Sequence, residues 1–266
     1  MFTLSLNELM VGLAQMLWPF FRISAFMMTV PIIGTRLVPV RVRLLLAITF
    51  TAMLFPFLMD YAPALPFDDM TRLAWWQLMW VSVKEIFIGV ALGFSVQILF
   101  HIAVVGGQMI AMQNGLGFAT LIDPVNGINV AAVGQLYLML TNLLFLTMNG
   151  HLAVLQVLTD SFTMLPISAR GFEASGMMVL VGHASWLFGA ALLVALPAVT
   201  ALLLVNLAFG LMARLAPTLN IFAIGFPFNM VFGVLMIWFC VGGYLPQFEQ
   251  FTAEHLDFMQ LMISEF

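Results

Sequence analysis

Long stretches of this 266-residue chain contain no Asp, Glu, Lys or Arg: residues 44–59, 86–122, 124–159, 174–213 and 215–248. Such stretches must be buried, and about 20 apolar residues in a helix suffice to cross a hydrocarbon core of ~30 Å. Each window is therefore a candidate membrane segment. The whole chain is 63% hydrophobic and 8% charged, against roughly 45–50% and 25% in soluble domains, which excludes a water-soluble single domain. The windows are continuously apolar rather than alternating at period two, which excludes transmembrane β-strands. The expected fold is all-α and polytopic, with long, partly broken helices arranged as hairpins over 9–33, 43–59, 74–105, 131–160, 177–212 and 219–247, and an acidic tail at 248–266.

No Lys or Arg precedes Arg22, and the first apolar stretch outlasts a signal-peptide core, so it is expected to remain in the mature protein. The connections carry the punctuation: Pro31, Gly34 and Pro39 with Arg36, Arg41 and Arg43; Pro56, Pro63 and Pro66 with Asp60, Asp68 and Asp69; and Pro166, Gly171 and Gly176. Counting basic residues near segment ends places Arg36, Arg41, Arg43 and Arg214 on one side and Arg72 and Arg170 on the other, which puts both termini outside.

The window 86–122 is too long for one ordinary crossing, since its 37 residues would make a helix of about 55 Å. A helix end is therefore expected inside it, at Gly106-Gly107. Beyond lie Gln108, Met109, Ile110, Met112, Gln113, Asn114, Gly115, Leu116, Gly117 and Phe118. Irregular backbone at membrane depth is tolerated only where protein covers it or where it lines a cavity. Residues 106–129, ending in Asp123-Pro124-Val125-Asn126-Gly127, are thus the candidate functional loop, with Asp123-Pro124 as its hinge boundary. The bland alternative is an interfacial connector.

Upstream, Glu85, Gly89, Gly93, Gln97 and His101 recur at every fourth residue and form one small or polar ridge. Small residues at this spacing allow close approach between membrane helices, so helix packing is the preferred reading over a proton relay through Glu85 and Lys84. Those two, being adjacent, need separate partners, and both lie near enough to the segment start to snorkel. Arg22 poses the same question inside the first segment: either a buried partner on another protomer or a snorkelling side chain.

Conventional chemistry finds little support. His101, His151, His183 and His255 are scattered without a second ligand three or four residues on, and Cys240 is alone, so neither a metal site nor a disulfide framework is expected. There is no G-x-S-x-G nucleophile motif and no phosphate-cradling glycine loop beside a Lys. No catalytic residue and no cofactor is expected. A net charge of −4 without a long basic run lacks the electrostatic footprint of nucleic-acid binding. Methionine is abundant, at 21 residues; Met109 and Met112 sit by the glycine-rich loop, where deformable apolar side chains suit a closable constriction.

Composition alone reaches only a polytopic membrane protein of transport type. Particular words of the sequence go further. Trp18-Pro19-Phe20-Phe21-Arg22, Pro31-Ile32-Ile33-Gly34, Val38-Pro39-Val40-Arg41-Val42-Arg43 and Gly89-Val90-Ala91-Leu92-Gly93-Phe94 come first. Gly115-Leu116-Gly117-Phe118-Ala119-Thr120-Leu121-Ile122-Asp123-Pro124 and Leu144-Phe145-Leu146-Thr147-Met148-Asn149-Gly150-His151-Leu152 follow. Asn206-Leu207-Ala208-Phe209-Gly210-Leu211-Met212-Ala213-Arg214-Leu215-Ala216-Pro217 and Asn220-Ile221-Phe222-Ala223-Ile224-Gly225-Phe226-Pro227 close the series. In this order, across nearly the whole chain, they resemble the FliR family of flagellar type III protein-export gate subunits, which is homologous to injectisome export-gate subunits.

The resemblance implies a single-copy subunit that assembles with FliP and FliQ, and with FlhB and FlhA nearby, in the bacterial inner membrane at the flagellar basal body. The complex would pass unfolded flagellar proteins. It implies one membrane-embedded domain whose residues 1–175 are similar in fold to FliP and whose residues 176–247 are similar to the FliQ hairpin. It also implies a gate lifted largely out of the bilayer plane, which removes the premise of the basic-residue count, and a plug formed by 106–129. A secondary transporter is the competing class, since broken helices would explain Gly106-Gly107 and the Pro217 and Pro227 interruptions. It predicts paired charges, whereas 177–247 holds only Arg214. A ring-assembly scaffold would share the signature apart from the glycine-rich loop.

Overall fold

The computed structural model describes residues 6–61, 75–117, 119–122, 129–167, 175–215 and 221–266. Eight helices and two short strands occur among them: α1 Leu6–Thr29, α2 Val40–Tyr61, α3 Trp75–Gln113, β1 Thr120–Ile122, β2 Asn129–Ala131, α4 Ala132–Thr147, α5 Gly150–Met164, α6 Ser175–Gly182, α7 Ala184–Leu215 and α8 Ile221–Ser264. Among the described residues the protein is all-α apart from the paired strands β1 and β2. Among the described residues four helical stretches are long and apolar enough to cross a membrane: Val40–Leu58, Trp75–Gln113, Ser175–Leu215 and Ala223–Ser264; α4 with α5 makes a fifth if the pair is one broken span.

The segment expected as one helix over 131–160 is two, the first ending at Thr147 and the second starting at Gly150. The break falls at Asn149, whose φ of 57° lies in the left-handed region that Asn tolerates better than most residues. A Cβ on the adjoining Gly150 would meet the Phe145 ring at 2.6 Å, so a larger residue there would force the buried ring to move. Among the described residues five prolines lie inside helices: Pro19, Pro56, Pro197, Pro227 and Pro246. Membrane helices accept them because neighbouring groups re-satisfy the freed carbonyls.

α3 runs unbroken for 39 residues, about 58 Å, straight through Gly106 and Gly107. The expected helix end there is wrong. Both glycines serve close approach instead: a Cβ at Gly107 would lie 2.5 Å from the Gly134 Cα of α4, and one at Gly106 would lie 3.0 Å from the Ala191 carbonyl of α7. A glycine inside a membrane helix marks a packing contact as readily as a terminus.

The chain divides into two compact units. The first comprises Met1–Gln97, His151–Gly182 and Leu256–Phe266. Its buried apolar residues include Ile23 and Phe26 of α1, Ile88 and Leu92 of α3, Leu158 and Phe162 of α5, and Met259, Met262 and Ile263 of α8. The link from α1 to α2 is drawn together by Arg43, whose guanidinium donates to the Val38 carbonyl at 3.1 Å and to that of Thr35. The second unit comprises Ile98–Gly150 and His183–His255. Here Tyr137 of α4 stands edge-on to Tyr244 of α8, with centroids 5.1 Å apart, and the Tyr244 hydroxyl pairs with Thr141 at 2.8 Å.

The stretch set apart by its charges as a tail, 248–266, is the last part of α8 and its end. Phe248, Phe251, Thr252, His255, Met259, Met262, Ile263 and Phe266 are buried, while Glu249, Glu254, Asp257 and Glu265 are exposed. That three-and-four spacing is an amphipathic helix. Phe266 meets Phe87 of α3 edge-on at 6.2 Å. By contrast, only 6% of the most apolar window of α8 is buried, and 11% of that of α2.

Candidate functional site

Two constellations stand out, one in each unit. In the first, Arg22 of α1 is fully buried and donates from Nε to Glu85 Oε2 of α3 at 2.7 Å. Its other nitrogens donate to the Ser161 carbonyl at 2.8 Å, the Ser161 hydroxyl at 3.1 Å and the Leu165 carbonyl at 2.9 Å. The guanidinium carbon lies 4.3 Å from the centroid of the Phe162 ring. One planar fork thus ties α1, α3, α5 and the residue after α5, and fork geometry is what distinguishes Arg from Lys in buried pairs. The partner of Arg22 lies within this chain, which corrects both sequence alternatives. Glu85 is fully buried and Lys84 is 6% exposed, so neither snorkels.

The ridge continues the same contact upward. A Cβ on Gly89 would overlap the Arg22 carbonyl and lie 2.9 Å from the Ala25 Cβ; one on Gly93 would overlap the Thr29 hydroxyl. Gln97 donates from Nε2 to the Thr29 carbonyl at 2.6 Å. Glu85, Gly89, Gly93 and Gln97 therefore all face α1. His101, half-buried, belongs to the second unit.

The second constellation is built around the C-terminal end of α3. Gly115 has φ +78°, and the Leu116 amide donates back to the Ala111 carbonyl at 2.9 Å. This is the closure by which a left-handed residue ends a helix. The next turn is held by the Ala119 amide on the Leu116 carbonyl at 3.0 Å. β1 then pairs antiparallel with β2 in the register Thr120 with Ala131, Leu121 with Val130 and Ile122 with Asn129. Gln108 of α3 accepts from the Ala131 amide at 3.1 Å.

The candidate loop residues divide accordingly. Gly106, Gly107, Met109 and Met112 are helical; Met109 is half-buried and Met112 is 69% exposed. Gly115, Leu116 and Gly117 form the turn after the helix. Phe118, Asp123 and Pro124, and with them the expected hinge, lie outside the described residues. The apolar material of the turn is thus presented from a rigid helix end.

Sequence reasoning missed two polar partnerships at this end and the burial of Asn114. Asn114 is fully buried and fills the place where a Cβ on Gly233 of α8 would sit, and Asn229 of α8 donates from Nδ2 to the Gln113 carbonyl at 3.2 Å. Gln108, noted only for its polarity, holds β2. A buried amide ordinarily finds a partner, and Asn229 and Gln108 do so here, whereas neither side-chain polar atom of the buried Asn114 has one among the described residues. The structure also joins His183 and His255, with Nε2 and Nδ1 3.2 Å apart and Trp186 stacked on His183 at 4.5 Å. Among the described residues no group of three or more His, Cys, Asp or Glu could hold a metal ion.

Residues 13–255 match the family described as Bacterial export proteins, family 1. The chain is 38% identical over 248 residues to the flagellar biosynthetic protein FliR of Escherichia coli (strain K12), covering 93% of this chain and 92% of that protein. It is 35% identical to its namesake in Pectobacterium carotovorum subsp. carotovorum, covering 96% of this chain and 93% of that protein. It is 25% identical to the surface presentation of antigens protein SpaR of Shigella sonnei, covering 68% of this chain and 70% of that protein.

Proposed function

Because the chain belongs to the bacterial export proteins of family 1, a component of the type III secretion export apparatus, we propose that it is the subunit that closes the flagellar export channel across the inner membrane at the basal body. The channel passes unfolded flagellar proteins and is completed by FliP and FliQ, with FlhB and FlhA as neighbours. Residues 1–175 play the FliP-like part and 176–247 the FliQ-like hairpin, with 248–266 as the closing segment. Residues 106–129, which take in the end of α3, the turn at residues 115–117 and the strand β1, form the seal, with Met109, Met112 and Leu116 among its apolar material. The ridge of Glu85, Gly89, Gly93, Gln97 and His101 serves helix packing along α3. An apolar constriction excludes ions by dewetting, so closure requires no titrating or catalytic group.

The observation that carries the assembly is the bare apolar surface of α2 and α8. Met53 is 67% exposed, Phe239 71% and Trp238 78%. Lipid or partner subunits must cover faces of this extent. Co-expression with FliP and FliQ, followed by mild-detergent purification and native mass spectrometry, tests it. The expected result is a heteromeric complex containing this chain. A monodisperse, protease-resistant monomer from cells lacking both partners contradicts it.

A further inference from the structure

Ala131 is fully buried and closes β2. At this end of the hairpin the amide facing β1 is that of Ala132, which donates to the Ala119 carbonyl at 3.0 Å. Successive amides of a strand point to opposite edges, so the Ala131 N–H points away from β1, where this two-stranded sheet has no further strand. A buried N–H without an acceptor is costly. Gln108 Oε1 is the acceptor, at 3.1 Å. Gly107 and Gly134 bring the two backbones close enough for this reach, since a Cβ on Gly107 would lie 2.5 Å from the Gly134 Cα. Val130 and Ala131 of β2 are buried, whereas Leu121 of β1 is 53% exposed.

We propose that Gln108 is a positioning residue of the gate, whose amide oxygen holds the β1–β2 hairpin against α3 through Ala131. The proposal rests on the reading of the hairpin and its preceding turn as the seal. A two-stranded hairpin has little stability of its own, so its resting place is set by what grips it. Here the grip on α3 includes one neutral hydrogen bond beside a glycine–glycine contact, at the point where β2 runs on into α4. Parting the hairpin from α3 therefore leaves the strands paired with each other, and a passing chain displaces them as one piece.

The test uses the complex purified after co-expression, carrying Gln108→Met, Gln108→Leu or Gln108→Glu. Met and Leu remove the acceptor at similar volume; Glu keeps an oxygen at the same reach. Two readouts are taken: hydrogen exchange at the Ala131 amide, and membrane-potential loss in cells. With Met or Leu, exchange at Ala131 is expected to rise roughly tenfold or more and ion leak to increase, while Gln108→Glu restores both. Unchanged exchange with Met and Leu overturns the proposal, as does failure of both variants to assemble while Gln108→Glu assembles. Faster exchange without leak supports the holding role of Gln108 and refutes instead the reading of the hairpin as the seal.

Discussion

Replacing Glu85 by Leu removes the one carboxylate on Arg22 while leaving the guanidinium where no water reaches it, since both side chains are fully buried. Removing one member of a buried pair costs about 3–5 kcal/mol. Arg22 keeps its bonds to the Ser161 carbonyl, the Ser161 hydroxyl and the Leu165 carbonyl, which places the loss at the lower end, about 3 kcal/mol. That corresponds to a change of roughly a hundredfold in the folded-to-unfolded ratio. The double variant Glu85→Leu with Arg22→Met removes both charges and fills the space with apolar groups, and such exchanges are often neutral or stabilising. The assay is denaturant-induced dissociation of the co-expressed complex, comparing the two single variants with the double. The expected order is parent and double close together, with Glu85→Leu well below both. If Glu85→Leu loses under about 1 kcal/mol, as an exposed pair would, or if the double variant falls below the single, the pair does not hold the helices in the way described.

Two further outcomes follow from the packing. Gly89→Leu or Gly93→Leu is expected to abolish recovery of the complex, because the branched side chain would occupy the backbone of α1 at Arg22 or the hydroxyl of Thr29, whereas Lys84→Gln is expected to retain most of it; equal yields of all three in detergent extracts would remove the ridge from the account. Gly115→Ala is expected to cost about 1–2 kcal/mol, because Gly115 has φ +78° and its new Cβ would lie 3.0 Å from the Phe226 ring; an unchanged denaturation midpoint would show that the turn relaxes freely.

The sequence made the helices legible because charge-free windows of membrane length admit few alternatives. The face that α3 turns to α1 was legible as well, since every-fourth spacing is a property of one helix and needs no knowledge of its neighbour. Partners were not. Arg22 and Glu85 lie 63 residues apart, and nothing local says which helix will supply the counter-charge. Gly106-Gly107 misled because glycine ends helices in water, whereas inside an apolar helix it equally marks close contact with a neighbour. The break at Asn149 was hidden within an unbroken apolar run, where only a left-handed φ at an Asn reveals it. The hairpin strands, three residues each, are too short for any periodicity to register. The amphipathic repeat from Phe248 to Phe266 was present in the residue order but overshadowed by its acidic residues.

The central claim is that the turn and hairpin after α3 seal a closed gate, and ion conductance tests it most directly. Shortening the chain across Gly115 to Thr120, in cells where the complex is shown to assemble, removes the helix-ending turn and the first residue of β1. Single-channel or membrane-potential recording is then expected to show a complex that leaks small ions, where the parent complex holds them back. An assembled complex with the deletion and no rise in conductance would contradict the seal, leaving the segment as a connector and the barrier to be found in the partner subunits.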